Sequence, residues 1–183
     1  MLRRTVCLIA LVATAACDAN QLSPATVPNV VDTVVLGSLS NAALEYPAGF
    51  DVTIGAVVRT DQSPDFDFIY NVDSLGRHVF LPLHAIAGLG NTVGSNPGFI
   101  KEPLLFQQII AAPTDTYLTT DTIAVAAGDV YIARSRVSCY LGVPQYGKIH
   151  VLSFDEVLHT VSLEVLVDAN CGYKNLQVGL PEN

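Results

Sequence analysis

Tryptophan is missing from this chain, methionine stands only at its start, and nine basic residues face 17 acidic ones. Without Trp, the pairing of a core indole with an inter-sheet disulfide that marks antibody domains is excluded. The aromatic girdles expected of an outer-membrane barrel lack their usual member as well. So few cations, with a formal net charge of −8, cannot build the dense basic footprint that phosphate backbones require, so no nucleic-acid partner is expected. No window of about 12 residues holds a clean 3.6 period, and β-branched residues dominate the apolar positions, so long helices are excluded. Long apolar runs are absent too, with one exception at the N-terminus.

That exception begins after Met1-Leu2-Arg3-Arg4, whose two charges precede an apolar run interrupted only by Thr14. A charged region followed by an apolar one reads as an export signal. From Thr5 to Ala16 the run is 12 residues, and as a helix it would reach only about 18 Å against the roughly 30 Å hydrocarbon core of a bilayer. It is too short to span. It ends in Thr14-Ala15-Ala16-Cys17, which resembles the lipobox of bacterial lipoproteins, with Thr14 standing where Leu is commoner in that family. The resemblance covers residues 1–17 and implies that Cys17 is acylated and becomes the new N-terminus. It implies an envelope location and a membrane partner reached through lipid, at the inner or outer membrane; plain secretion after a nearby cut is the alternative.

Three regions follow: a signal at 1–16, a lipidated N-terminus and polar, proline-bearing tether at 17–29, and one domain at 30–183. Loss of Arg3 and Arg4 leaves seven basic against 17 acidic residues, a net charge of −10. Cys7 leaves with the signal and Cys17 is assigned to lipid, so Cys139 and Cys171 are the remaining thiols. In an exported chain they are expected to form a disulfide; a two-cysteine metal site is the alternative, without the close ligand spacing of zinc sites.

The domain reads as strand after strand. Phe50, Val52, Ile54, Ala56 and Val58 alternate with more polar neighbours, which predicts one strand, and Phe66, Phe68, Tyr70 and Val72 predict another. Residues 78–83 return as a hairpin arm, and 104–110, 122–125 and 130–137 read as further strands. A last hairpin pairs 148–154 with 158–167 about a loop at 155–157, which puts Ile149 and Val151 on one face with Val161, Leu163 and Val165. In that register Lys148 opposes Glu164. The expected fold class is all-β, an antiparallel β-sandwich of about eight to ten strands with an immunoglobulin-like variant open.

Chemistry is sparsely signalled. The glycine-rich segment from Gly88 to Gly98 lacks the following helix of a phosphate loop and reads as a surface loop. Asp61, Asp65, Asp67 and Asp73 form the densest acidic group, a weak calcium candidate that also reads as solvated carboxylates. Arg134 and Arg136 alternate onto one face and are a weak anion candidate, with internal pairing to nearby acids as the plainer account. His78, His84, His150 and His159 are scattered, and no Gly-x-Ser-x-Gly elbow occurs. No cofactor is expected. The leading functional expectation is a lipid-anchored envelope protein with a binding or structural role; the alternative is a small exported hydrolase.

Overall fold

A computed structural model describes residues 22–86 and 96–182. Cys17 and positions 88–95 of the glycine-rich segment lie outside the described residues. Among the described residues there are ten strands: β1 (Val31–Gly37), β2 (Gly49–Asp51), β3 (Ala56–Val58), β4 (Phe68–Val72), β5 (His78–Pro82), β6 (Gly98–Glu102), β7 (Ile123–Ala124), β8 (Val130–Val137), β9 (Pro144–Asp155) and β10 (Thr160–Asp168). They form two five-stranded antiparallel sheets, ordered β1-β10-β9-β8-β6 and β3-β2-β4-β5-β7. This is the expected β-sandwich. Its core interleaves Phe50, Phe68, Phe80 and Phe99 with Ile149, Val151, Leu163 and Val165, and the Phe68 and Phe99 rings meet edge to face at 4.8 Å.

The strand expected over residues 50–58 is instead β2 and β3 folded about a tight turn. Asp51 Oδ1 accepts from the backbone N–H (2.8 Å) and the hydroxyl (2.6 Å) of Thr53. Gly55 takes a φ of +69° and donates to the Asp51 carbonyl at 2.9 Å. An Asp that bonds the residue two ahead, followed by a glycine free to adopt positive φ, reverses the chain despite the alternation.

In the last hairpin the inward set is as expected, with Ile149, Val151, Val161, Leu163 and Val165 all buried, but the cross-strand partners differ. Asp155 pairs with Thr160 around a four-residue turn, and a bulge lies between Ser162 and Leu163. Relative to the expected three-residue loop the turn moves the register by three and the bulge takes one back. Beyond the bulge the net shift of two keeps each side chain on its face, while between turn and bulge the shift of three turns Phe154 toward the core. Lys148 therefore opposes Leu166, and Glu164 opposes His150.

The segment 104–110 is not a strand. It holds a 3₁₀ turn, Phe106–Gln108, with the Gln108 side chain accepting from the Leu105 N–H at 3.0 Å. Phe106 and Ile109, three apart, point inward, while Leu104, Leu105 and Ile110 stay exposed. With Leu176 they cover Val130, Ile132, Tyr146 and Leu166 on the outer face of the first sheet. This third layer explains why Val130–Ala133 is continuously buried: a strand covered on both faces loses its alternation.

Lys148 lies beneath that layer, 4% exposed. Its Nζ donates to the carbonyls of Phe106 (2.9 Å) and Ile109 (3.0 Å) and sits 4.5 Å over the Phe106 ring. Burial holds its pKa below the ordinary lysine value. The ammonium thus pins the covering turn to β9. Lys148→Met leaves both carbonyls without this donor, and should lower stability by about 1–3 kcal/mol, read as a drop in the urea midpoint; an unchanged midpoint would show that water serves those carbonyls equally well.

Candidate functional site

Between β3 and β4 the chain runs as Arg59-Thr-Asp-Gln-Ser-Pro-Asp65, a polar ridge with a concavity on each side. On one side lies an apolar cleft of about 470 Å³, walled by Leu39, Phe66, Ile69 and Ile86 and rimmed by Thr60, Asp61, Gln62 and Ser63. Its floor is a small cluster on the outer face of the second sheet, where Phe66, Ile69 and Leu83 are buried. Concave, mostly apolar and edged by a few polar groups, it has the make-up of a small-ligand site. On the other side a more open hollow of about 700 Å³ is lined by Asp51, Ile54, Arg59, Asp65, Arg136 and Ser138.

An ionic bridge between the sheets floors this second hollow. Arg136 extends from the end of β8, and its Nη2 donates to Asp51 Oδ2 at 2.9 Å. Its backbone N–H donates to Asp67 Oδ1 at 2.6 Å, while the other oxygen of Asp67 accepts from the Val52 N–H at 2.7 Å. Arg136 Nη1 is 3.3 Å from Asp67 Oδ1, an ion pair whose angle does not make a hydrogen bond. Asp65 stands 4.0 Å away with its side chain 75% exposed. Burial, at 1% exposure, outweighs the Arg136 contacts and pushes Asp67 up to about 6.

The four aspartates proposed for calcium do not converge. Asp61 pairs with Arg59 at 2.8 Å, Asp73 pairs with Arg77 at 2.7 Å, Asp65 lies at the rim, and Asp67 is committed to backbone N–H groups. Among the described residues no three His, Cys, Asp or Glu side chains gather as a metal site. Nor do the two arginines share a face. A register irregularity between Arg134 and Val137 sends Arg136 to the inter-sheet carboxylates. Arg134 lies over the Tyr117 ring at 4.5 Å and donates to the Asn96 carbonyl at 3.1 and 2.8 Å.

His78 occupies an arrangement that sequence spacing did not signal. Its Nδ1 is 2.7 Å from the Tyr70 hydroxyl and its Nε2 is 3.0 Å from Glu156 Oε1, with its ring stacked 3.7 Å from that of Phe154. Tyr70 and His78 are diagonal neighbours on the β4–β5 hairpin, and Glu156 comes from the distant β9–β10 turn. Only tertiary pairing brings the three together. Burial, then the Glu156 charge, raises the Tyr70 hydroxyl above its ordinary pKa, and Tyr70 itself is 0% exposed. The Tyr70 hydroxyl is thus enclosed and held by His78. His150 lies 3.2 Å from Glu164, His159 adopts a φ of +54° in the last turn, and His84 belongs to the 3₁₀ turn Leu83–Ala85.

Cys139 and Cys171 are joined by a disulfide, with Cα atoms 5.6 Å apart. It ties the β8–β9 loop to the segment after β10, the kind of staple proteins acquire in oxidising, exported surroundings. The class of protein defined by these features is a disulfide-bonded, two-sheet antiparallel β-sandwich. Compared with known proteins, the chain matches no family model and no curated sequence.

The buried carboxylate of Asp67 makes stability depend on pH. Its folded-state pKa, about 6, lies above the unfolded value near 3.9, so the folded chain binds the extra proton between these values. Its contribution is fully present below pH ~4 and is lost as pH rises through 6, by about 1–3 kcal/mol. In Asp67→Asn the amide donor must face one of two N–H donors, which should cost about 1–3 kcal/mol at neutral pH. Urea titrations from pH 4 to 7 should show a wild-type decline that the variant lacks; parallel profiles would assign the decline to other groups.

Proposed function

We propose that this chain is an exported, lipid-anchored protein of the bacterial cell envelope whose sandwich serves binding rather than catalysis, with the apolar cleft beside the 59–65 ridge as the binding site. The observation that carries the binding reading is the make-up of that cleft: Leu39, Phe66, Ile69 and Ile86 form its walls, and its polar rim holds no histidine. Such a surface gains affinity by removing apolar area from water, at about 25 cal/mol per Å². Its occupant is an apolar molecule or an apolar side chain of a partner. The Cys139–Cys171 disulfide supports export, and the lipobox-like ending at Cys17 supports the anchor.

Two measurements test the reading. Full-length protein from a bacterial membrane fraction should have an intact mass corresponding to an N-terminus at Cys17 with acyl chains, and Cys17→Ser should move it out of that fraction; an unacylated mass would remove the anchor while leaving export. A naphthalene-sulfonate dye should brighten on the purified protein and lose most of that signal in Leu39→Arg at unchanged melting temperature. Leu39 is 48% exposed, so the change alters the cleft wall without opening the core. Equal dye signal in both proteins would place apolar binding elsewhere.

The hydrolase alternative has its best geometry in Tyr70, His78 and Glu156, and the burial of Tyr70 counts against it. Esterase, glycosidase and peptidase substrates should all remain unturned. Turnover that disappears in His78→Ala would reverse the preference.

A further inference from the structure

Residues 22–29, expected to belong to a tether, lie along the fold. A Cβ on Gly172 would be 2.6 Å from Leu22 Cδ2 and 3.0 Å from Leu141 Cδ1, so both leucines pack on the backbone beside the disulfide. The Tyr173 hydroxyl donates to the Ser23 carbonyl at 3.0 Å, and the Tyr140 hydroxyl to Ser23 Oγ at 3.2 Å. Asn170 then binds the next stretch through both ends of its amide. Its Oδ1 accepts from Thr26 N–H (2.9 Å) and Val27 N–H (3.1 Å), and its Nδ2 donates to the Val27 carbonyl (2.8 Å). Asp168, 0% exposed, fixes Asn170 by accepting from its N–H at 3.0 Å and its Nδ2 at 2.8 Å. Asn29 closes the run by pairing with Gly179 in both directions, at 2.8 and 2.9 Å.

The N-terminal segment is therefore fastened to the disulfide-tied end of the sandwich, and this end has a distinct surface. The segments 22–31, 137–147 and 169–173 contain no charged residue and no histidine, in a chain whose acidic residues outnumber its basic ones. Exposed apolar side chains lie there: Tyr140 is 73% exposed and Leu141 44%, while Val27 (46%) and Ile54 of the β2–β3 turn (67%) line one hollow together with Asp32. Arg59 and Arg136 flank Ile54 across the hollow, with Asp65 beside them. The opposite end of the β9–β10 hairpin carries Asp155, Glu156 and His159.

We propose that this end, built mainly from uncharged segments and presenting Ile54, Tyr140 and Leu141, is a membrane-facing surface that rests on the lipid headgroup layer. The proposal rests on the lipid-anchor reading above. Five residue steps separate Cys17 from Leu22, and at full extension they reach about 17 Å. An acylated Cys17 thus holds Leu22 close to the interface, and Leu22 packs beside Leu141. Apolar side chains with a tyrosine among them suit the boundary between headgroups and acyl chains. An acidic body facing anionic lipid would be repelled; turning this end to the membrane places the carboxylates of the far end at a distance.

Because the chain has no Trp, one introduced indole reports its own surroundings. Full-length, lipidated Tyr140→Trp and Ile54→Trp, with Val157→Trp in the far turn as reference, are reconstituted into phosphatidylethanolamine/phosphatidylglycerol vesicles with and without brominated acyl chains. The expected result is a blue-shifted emission and several-fold stronger bromolipid quenching at positions 54 and 140 than at 157, with all three variants floating with the vesicles. All three sites are exposed, so melting temperatures should match the parent, and either of the first two suffices if the other folds poorly. Equal quenching at the three positions in floating protein overturns the orientation and leaves the anchor standing. Protein recovered without acyl chains overturns both.

Discussion

Arg136 sets the geometry of the part of the molecule that holds the two hollows beside the 59–65 ridge. It leaves the end of β8 in one sheet and meets Asp51 and Asp67 in the other, so a single guanidinium and its own backbone N–H join the two layers. Burying two carboxylates with one cation is costly, and the rise of Asp67 toward 6 registers that cost. What the arrangement secures is position. The β8 irregularity that turns Arg136 inward sends Arg134 to the outer face, and Asp51 also closes the β2–β3 turn. Asp67, held by Val52 and Arg136, fixes where the chain enters β4. The ridge at 59–65 is thereby suspended between two anchored points, and the clefts on either side exist because of it.

Alternation revealed the all-β class and the inward residues of the last hairpin, because those depend only on parity. The same signal misled wherever a local hydrogen bond or a covering layer competed with it. The Asp51–Thr53 contact breaks 50–58 into two strands, and the signal for it, an Asp four residues before a Gly, was present but outweighed by five well-spaced apolar positions. For 104–110 the spacing of Phe106 and Ile109 already fits a turn better than a strand. The β9–β10 register escaped because a bulge is invisible in a pattern of period two when turn and bulge sum to an even shift. Asp51 as the main partner of Arg136, and Glu156 as the partner of His78, were illegible for a plainer reason: each pair lies on different sheets and far apart in the chain.

The outer layer and the N-terminal segment follow the same economy. The first sheet has apolar side chains on both faces, and the outer set is covered by 104–118 and by the stretch near Leu176, with Lys148 reaching up to the turn at Phe106–Gln108. At the disulfide-tied end, Asn170, fixed by Asp168, does for the backbone of Thr26 and Val27 what Lys148 does for the covering turn: a buried polar group serves backbone atoms that no strand partner reaches. Buried side-chain donors and acceptors here substitute for missing ladder bonds, so non-strand segments pack without leaving their amides unpaired.

This substitution bears on how the chain meets its surroundings. On the lipid-anchor reading proposed above, a segment free through residue 29 would let the body stand off at a distance set by chain statistics, with no preferred orientation. The contacts of residues 22–29 hold that stretch against one end of the sandwich, which on the proposed reading would be the end near the membrane. The same end is the one stapled by the disulfide, so under the proposed anchor any load would fall where the chain is covalently closed. The apolar cleft is walled by Phe66 and Ile69 on the outer face of the second sheet, a different surface from the loops around Cys139. In the membrane-facing orientation proposed above, that cleft would open along the flank of the sandwich, where a ligand or partner could still reach it.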